Sequence, residues 1–154
     1  METEKHSALA QPIPIILCGK SLENGAMVAQ FLKSEFEVIH FVSSFEQAKA
    51  EFAELIAGRA PKLSISENIG TQNYSKLPLA IVFGRAYDPD DVTELNRIFR
   101  GTGSAPLAWI AGNRDVRPPA QLGPGYAEKA AENTKRAFER WKDSGSISED
   151  IVYY

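Results

Sequence analysis

Short apolar runs alternate along this chain with segments in which apolar residues recur every three or four positions. Four of the runs have the length and the β-branched or aromatic content of buried strands, and the periodic segments are typical of amphipathic helices. Unbroken apolar runs favour parallel strands that are covered on both faces. The pattern predicts strands at residues 13–18, 36–42, 77–83 and 105–111, and helices at residues 25–34, 45–57, 89–100 and 126–143.

Strands that alternate with helices predict an α/β fold with right-handed crossovers. We expect a single-domain, Rossmann-like three-layer fold whose parallel sheet has four or five strands. A flexible N-terminus is expected at residues 1–12, the Rossmann-like domain at residues 13–145, and a C-terminal tail or edge strand at residues 146–154. The polar stretch at residues 59–76 is a long loop with at most a short strand at residues 63–66, and such loops are usually functional or mobile.

Two helix starts carry explicit signals. Ser44 followed three residues later by Gln47 has the spacing of a capping box. Asp88 precedes Pro89, which is the arrangement of an N-cap before a first-turn proline. A helix cap is therefore the most economical role for Asp88.

Composition narrows the classes of function. The 154 residues are 44% hydrophobic and 24% charged, enough for one hydrophobic core. A net charge of −3 without a lysine or arginine cluster argues against nucleic acid as a partner. Two histidines and one cysteine at scattered positions predict no metal site. The single cysteine, Cys18, follows a strand beside a helix start, a position that can lower the pKa of a thiol.

The chain shows no signal for a membrane. No apolar run approaches the roughly 18 residues of a membrane span, and the first residues lack the basic and apolar regions of a signal peptide. We expect a cytoplasmic protein with no membrane partner.

Glycine and polar residues concentrate where the predicted strands end. The carboxyl ends of parallel strands meet at one edge of a sheet, beside helix N-termini that favour anions. A small anionic molecule is therefore the expected ligand, although any strand end needs turn residues and each position has that structural alternative. The candidate ligand-binding residues are Gly19, Lys20, Ser21, Ser43, Ser44, Gly84, Arg85, Gly112, Asn113 and Arg114.

Three short motifs at this edge resemble the cofactor-binding half of the atypical and NmrA-like short-chain dehydrogenases, over roughly residues 13–112. GKSLENG at residues 19–25 resembles their G-x-x-G-x-x-G turn, and GRAYD at residues 84–88 resembles their G-D-x-x-D element. AWIAG at residues 108–112 resembles their strand that ends in Ala-Gly beside the cofactor. The resemblance implies a Rossmann fold and a site for NAD(P).

The chain departs from this family at the positions that hold the cofactor. Leu22 stands at the middle glycine, where a side chain would push a pyrophosphate away from the backbone. Ser43 and Ser44 end the second strand without an acid for the ribose or an arginine for a 2′-phosphate. Arg85 replaces the first acid of the third motif, and the sequence has no Tyr-x-x-x-Lys dyad. We therefore expect no cofactor and no hydride transfer. NAD(P) binding in a shifted pose stays open because the turn and the helix dipole are intact, but it is disfavoured.

Two classes of function remain open. The first is a Rossmann-like protein without hydride transfer that binds a small anionic ligand or a protein partner at the carboxyl edge of the sheet. The second is a cofactor-independent acid/base enzyme, such as an isomerase, dehydratase or cyclase, with Asp88, Asp115 and His40 as proton carriers. Each of the three residues also has a purely structural explanation. Asp88 could be a helix cap, Asp115 could lie in a solvated turn, and His40 could be a structural histidine within a strand.

Aromatic residues near the C-terminus predict self-association. Trp109, Phe138, Trp141 and the apolar residues 151–154 offer more aromatic surface than a four-stranded domain easily covers. A two-fold homodimer is the commonest closed assembly, so a homodimer is expected.

Overall fold

The computed structural model describes residues 12–61, 69–112 and 124–154. Within them, strands and helices alternate as the hydrophobic pattern predicts. The strands are β1 (Ile13–Cys18), β2 (Phe36–Val42), β3 (Ala80–Phe83), β4 (Ala108–Ala111) and β5 (Ile151–Tyr153). The helices are α1 (Leu22–Leu32), α2 (Phe45–Ile56), α3 (Pro89–Phe99) and α4 (Pro124–Asp143). The predicted fold class is confirmed: a Rossmann-like three-layer α/β fold with a parallel sheet of five strands.

The strands run parallel in the order β2-β1-β3-β4-β5. α1 and α4 pack against each other on one face of the sheet, and α2 and α3 cover the other face. The order changes direction between β1 and β3, because the chain leaves β1 for β2 and then returns to the other side of β1. Such a switch point leaves a crevice beyond the carboxyl ends of two strands, which is where ligands bind in open parallel sheets.

Both faces of the interior strand β1 are buried, which explains its unbroken apolar run. Ile15 and Leu17 pack with residues of α1 and α4, whereas Ile16 and Cys18 pack with residues of α2 and α3. All four are at most 4% exposed. A strand covered on both faces has no polar side, so its sequence lacks the alternation of a half-exposed strand.

A register irregularity between β1 and β2 changes the face that the later residues of β2 occupy. Two consecutive residues of β1 pair with Val38 and His40, so Ile39 is the extra residue of a β-bulge. Val38 packs on the side of α1 and α4, and strict alternation would place His40 there too. The bulge instead turns His40 towards α2 and places Phe41 beneath α1.

Two strands begin three residues later than predicted. β3 begins at Ala80 rather than at residue 77, because Pro78 has no N–H to donate to the sheet. β4 begins at Ala108 rather than at residue 105, and the N–H of the preceding residue, Leu107, donates to the side chain of Glu149 at 3.2 Å. The Leu107 N–H is thus bonded to a side chain of the C-terminal segment, and it is not available for the sheet hydrogen bond of a longer strand.

Helix α1 begins three residues earlier than predicted, at Leu22 rather than at residue 25. Ser21 is its N-cap, since its Oγ accepts a hydrogen bond from the Asn24 N–H at 3.0 Å. Asparagine and glycine favour turns, and their presence here concealed the cap. The other helix ends lie within two residues of the predicted positions. None of the described helices is long and apolar enough to span a membrane.

Residues 69–76 cover the outer edge of β2. The N–H of Thr71 donates to the carbonyl oxygen of Val38 at 2.9 Å, and the following N–H donates to the following carbonyl at the same distance. Uncovered strand edges are prone to association, so this part of the predicted loop has a structural role. The short strand predicted at residues 63–66 lies outside the described residues.

The C-terminal segment folds back onto the same chain as the edge strand β5, which pairs with β4. The carboxylate of Glu149 anchors it. One oxygen accepts from the N–H of Gly101 at 3.0 Å and from the indole N–H of Trp109 at 3.1 Å, and the other accepts from the N–H of Leu107. A single side chain therefore joins the end of α3, the start of β4 and the approach to β5.

This packing buries the aromatic residues from which self-association is predicted. Trp109, Phe138 and Trp141 are at most 5% exposed within one subunit. Ile147 and Tyr153 of the C-terminal segment stay exposed, at 73% and 41%. The excess of aromatic surface on which the homodimer prediction depends is thus absent from the described residues, and the homodimer stays a prediction.

We expect Gly25→Ala to destabilise the fold. α1 crosses β2 so closely that a Cβ on Gly25 would lie 2.7 Å from Cζ of Phe41. Overpacking of this kind costs about 1–3 kcal/mol. Urea unfolding measures the free energy of unfolding of the variant against the wild type.

Gly125→Ala is the matched control for this experiment. A Cβ on Gly125 in α4 meets nothing within 4 Å, and Gly→Ala at a compatible position stabilises by about 0.4–1 kcal/mol. Equal stability of the Gly25→Ala protein and the wild type would contradict the close approach of α1 to Phe41.

Candidate functional site

The crevice at the switch point lies beyond the carboxyl ends of β1 and β3. Its walls come from the turn after each of these strands, the first two turns of α1, the first three turns of α4, and Tyr154 after β5. The enclosed part has a cavity volume of about 50 Å³. Three strands and two helices thus contribute to one small, partly enclosed space.

The floor of the crevice is the ring of Phe41. A Cβ on Gly19 would lie 3.5 Å from this ring, and one on Gly25 would collide with it. The backbone of the turn and of the first helical turn therefore lies almost directly on the aromatic ring. Gly19 and Gly25, the two outer glycines of the predicted turn, therefore let the backbone pack against Phe41. In dinucleotide-binding turns the last glycine has the same packing role.

The N-terminal end of α1 borders the crevice through Ser21 and Asn24, which line it. Ser21 caps the Asn24 N–H, while the N–H groups of Leu22 and Glu23 precede the first intrahelical bond. The positive end of the helix dipole adds to their effect on an anion. The side chain of Leu22 is 54% exposed and does not line the crevice, so it points away from the position where it was expected to obstruct a ligand.

Arg85 is the charged side chain held most firmly at the crevice. A Cβ on Gly112 would lie 3.0 Å from the Cα of Arg85, so the glycine lets the arginine pack over the end of β4. The guanidinium carbon lies 5.1 Å from the ring centroid of Tyr154, a cation–π distance. The Nε atom is buried and has no hydrogen-bond partner.

The charged side chains among the described residues of the lining are two cations, Lys20 and Arg85. The Lys20 ammonium lies 4.8 Å above the ring of Tyr87, on the α3 side, and the side chain is exposed. Arg85 is therefore the fixed cation of the site, and Lys20 is a mobile one on a flexible stem.

The tyrosines of the crevice are neutral near pH 7. Burial raises the pKa of Tyr126, and the nearby Arg85 guanidinium partly opposes this shift. Burial also raises the pKa of Tyr154. The sequence suggested a lowered pKa for the Cys18 thiol, and the structure contradicts this. Complete burial raises the pKa of the thiol well above its ordinary value. The thiol is therefore not an activated nucleophile.

The structure brings together half of the ten predicted ligand-binding residues. Those that line the crevice are Gly19, Lys20, Ser21, Gly84 and Arg85. Gly112 lies beside them and supports Arg85 without lining the space itself. The turn after β1 and the turn after β3 are thus the parts of the prediction that converge on one site.

Ser43 and Ser44 end β2 at the same edge of the sheet but serve the cap of α2. Ser44 Oγ accepts from the Gln47 N–H at 3.0 Å, and Gln47 Oε1 accepts from the Ser43 N–H at 2.9 Å. The predicted capping box is confirmed, with the return bond shifted by one residue. Their hydrogen bonds are therefore committed to the helix start.

His40 lies on the opposite face of the sheet from the crevice and is 1% exposed. Its Nε2 is 2.7 Å from Oε1 of Glu51 on α2, and its Nδ1 is 2.8 Å from the hydroxyl of Tyr74. Gln47 donates to the same Glu51 oxygen at 3.1 Å. This network joins β2, α2 and the segment that covers β2, which favours the structural alternative for His40.

Asp88 is the N-cap of α3, as predicted: its Oδ1 accepts from the Asp90 N–H at 2.9 Å. Neither of the two described proton carriers, Asp88 and His40, lines the crevice. Three predicted site residues lie outside the described part of the chain: Asn113, Arg114 and Asp115. In the described residues, no group of three or more His, Cys, Asp or Glu side chains is placed to hold a metal ion.

Three side chains of the crevice were missed from the sequence. Asn24 was assigned to a turn, and the spacing Ser21-x-x-Asn24 would have placed it in the first helical turn. Tyr126 lies in the first turn of the last helix, and Tyr154 was assigned to a surface for self-association. Tyr154 becomes visible as a site residue only when β5 is known to pair beside β4.

We expect Tyr74→Phe to lower the free energy of unfolding by roughly 1 kcal/mol, because it removes one hydrogen bond to a buried histidine. It should leave anion binding in the crevice unchanged, since His40 faces the other side of the sheet. Tyr153→Phe is the control, because Tyr153 is 41% exposed. Urea unfolding and calorimetry measure the two properties; loss of anion binding in a folded Tyr74→Phe protein would contradict a structural role for the network.

No protein-family model matches the chain, and no solved structure matches it. Among characterised sequences, the chain is similar to Kojic acid related protein 6 from Aspergillus oryzae. The two are 29% identical over 143 residues, which cover 92% of this chain and 86% of that protein. The similarity therefore extends over nearly the whole of both chains.

Proposed function

We propose that this protein binds a small oxyanion in the crevice between β1 and β3 and does not transfer hydride. The observation that carries the proposal is the buried Nε of Arg85, a charged donor without a hydrogen-bond partner at a ligand-binding edge of the sheet. The guanidinium is hydrogen-bonded to Tyr126, but its Nε has no partner. A buried donor without a partner is costly, and an anion in the crevice would supply one.

The surroundings of Arg85 favour negative charge. Lys20 adds a second cation, and the tyrosines in the lining are neutral. The N-terminal end of α1 borders the crevice, and the helix dipole there has the sign that suits an anion. Glu23 is exposed and outside the lining, so water screens its charge from the site.

The size of the enclosed space favours a small ligand. A water-sized group needs about 10–15 Å³ of such volume, so a cavity of about 50 Å³ accepts a group of the size of a carboxylate or a phosphate. A protein partner would need an open surface rather than a recessed space. A small anion is therefore the better of the two ligands considered from the sequence.

A dinucleotide fits this edge poorly. Where dinucleotide-binding chains hold the adenosine ribose, Ser44 Oγ and the Ser43 N–H form the cap of α2 instead. Arg85 occupies the third motif, and its stem packs on Gly112. The described residues therefore offer a pocket for one anionic group and no second site for a ribose.

A cytoplasmic location and a homodimer remain predictions from the sequence. Sedimentation velocity of the full chain at micromolar concentration distinguishes a dimer from a monomer. The name of the Aspergillus relative refers to kojic acid, so kojic acid belongs among the compounds to be titrated.

We expect calorimetric titration to detect orthophosphate binding with a dissociation constant of about 1 mM or tighter, equivalent to about −4 kcal/mol. NADH and NADPH should bind weakly or not at all, because the contacts that orient a dinucleotide are absent. A dissociation constant below about 10 μM for either dinucleotide would contradict the proposal.

We expect Arg85→Gln to weaken orthophosphate binding by at least about tenfold, since a hydrogen bond to a charged group contributes about 1.5–3 kcal/mol. Arg136→Gln is the matched control: this exposed arginine of α4 bonds Asn133 and lies outside the crevice. Thermal unfolding of both variants shows whether the fold is intact. Equal phosphate affinity in a folded Arg85→Gln protein would overturn the assignment of this site.

A further inference from the structure

Two buried polar atoms in the wall of the crevice lack a hydrogen-bond partner, and they are of opposite kinds. Arg85 Nε is a donor, and Asn24 Oδ1 is an acceptor. Both residues line the same cavity. Buried polar atoms in folded proteins are almost always hydrogen-bonded, so this pair points to a molecule that supplies an acceptor and a donor together.

The two residues are positioned by different parts of the fold. Asn24 belongs to the first turn of α1, where its backbone N–H donates to Ser21 Oγ at 3.0 Å. The stem of Arg85 packs against Gly112, and its guanidinium lies over the ring of Tyr154. Both backbone positions are therefore set before a ligand arrives.

We propose that the ligand is a small oxyanion that carries an O–H group of its own. One oxygen of the ligand accepts from Arg85 Nε, and its O–H donates to Asn24 Oδ1. Hydrogen phosphate and hydroxycarboxylates have both groups near pH 7, whereas sulfate and simple carboxylates have acceptors only. This inference rests on the proposed oxyanion site and adds the class of ligand that the site selects.

Sulfate is the ion against which this selectivity is best measured, because it has the tetrahedral shape and size of phosphate without the hydroxyl. Bound sulfate would leave Asn24 Oδ1 unpaired and would place a second acceptor against it. An unpaired buried acceptor reduces affinity by roughly tenfold or more. The same contrast exists between glycolate and acetate, which differ in one hydroxyl group.

The experiment is calorimetric titration of the full chain at pH 7 with orthophosphate, sulfate, glycolate and acetate. We expect orthophosphate to bind at least about tenfold more tightly than sulfate. Two affinity ratios are then compared: glycolate to acetate, and phosphate to sulfate. If the first ratio is larger, the natural ligand is a hydroxycarboxylate; if the second is larger, it is a phosphate.

Asn24→Ala tests the acceptor directly. Alanine is a good helix former and keeps the backbone N–H that Ser21 caps, so α1 is retained. We expect phosphate affinity to fall to the level of sulfate, and sulfate affinity to stay unchanged or rise. Glu23→Gln is the control on the adjacent residue, which lies outside the lining. Water screens the exposed charge that this change removes, so the ratio of phosphate affinity to sulfate affinity should stay unchanged.

The outcomes separate this inference from the proposed function. Equal binding of phosphate and sulfate by the wild type, with both lost in Arg85→Gln, would overturn the selectivity while the oxyanion site stands. An equal loss of both anions in Asn24→Ala would overturn it as well. If none of the four anions binds, the proposed function fails and this inference fails with it.

Discussion

The β-bulge at Ile39 is the constraint on which both faces of the sheet depend. It turns His40 towards Glu51 on one face and places Phe41 under α1 on the other. Because side chains alternate along a regular strand, a β2 that kept Ile39 in regular pairing, without the bulge, would exchange these two positions. His40 would then face α1, away from Glu51, and the crevice would lose the ring on which Gly25 packs.

The crevice holds a fixed cation, Arg85, whose Nε has no hydrogen-bond partner. Gly112 and Tyr154 position Arg85, whereas nothing in the described lining neutralises its charge. Natural interiors seldom leave such groups unpaired unless a ligand or water completes them. The resemblance to dehydrogenases and the oxyanion site use the same strand ends, but the polar groups present suit one small anionic group rather than an extended cofactor.

The C-terminal segment links the stability of the fold to the shape of the site. Glu149 fixes the approach to β5 by three hydrogen bonds, and β5 then carries Tyr154 to the carboxyl edge of the sheet. The N–H of Tyr154 donates to the carbonyl of Ala111 at 3.0 Å. A wall of the crevice therefore depends on an anchor at the opposite end of β5, whose hydrogen-bond partners lie 40 to 48 residues earlier in the chain.

The succession of strands and helices, the parallel sheet and the caps at Ser44 and Asp88 could be predicted from the sequence, because they depend on local periodicity and on hydrogen bonds between near neighbours. The meeting of the turns after β1 and β3 could be predicted too, since parallel strands end at one edge. Three features required the folded structure: the face of His40, the choice of an edge strand rather than a tail for residues 151–153, and the position of Tyr154 in the crevice. These depend on a bulge and on contacts between distant segments, which leave no periodic signal in the chain.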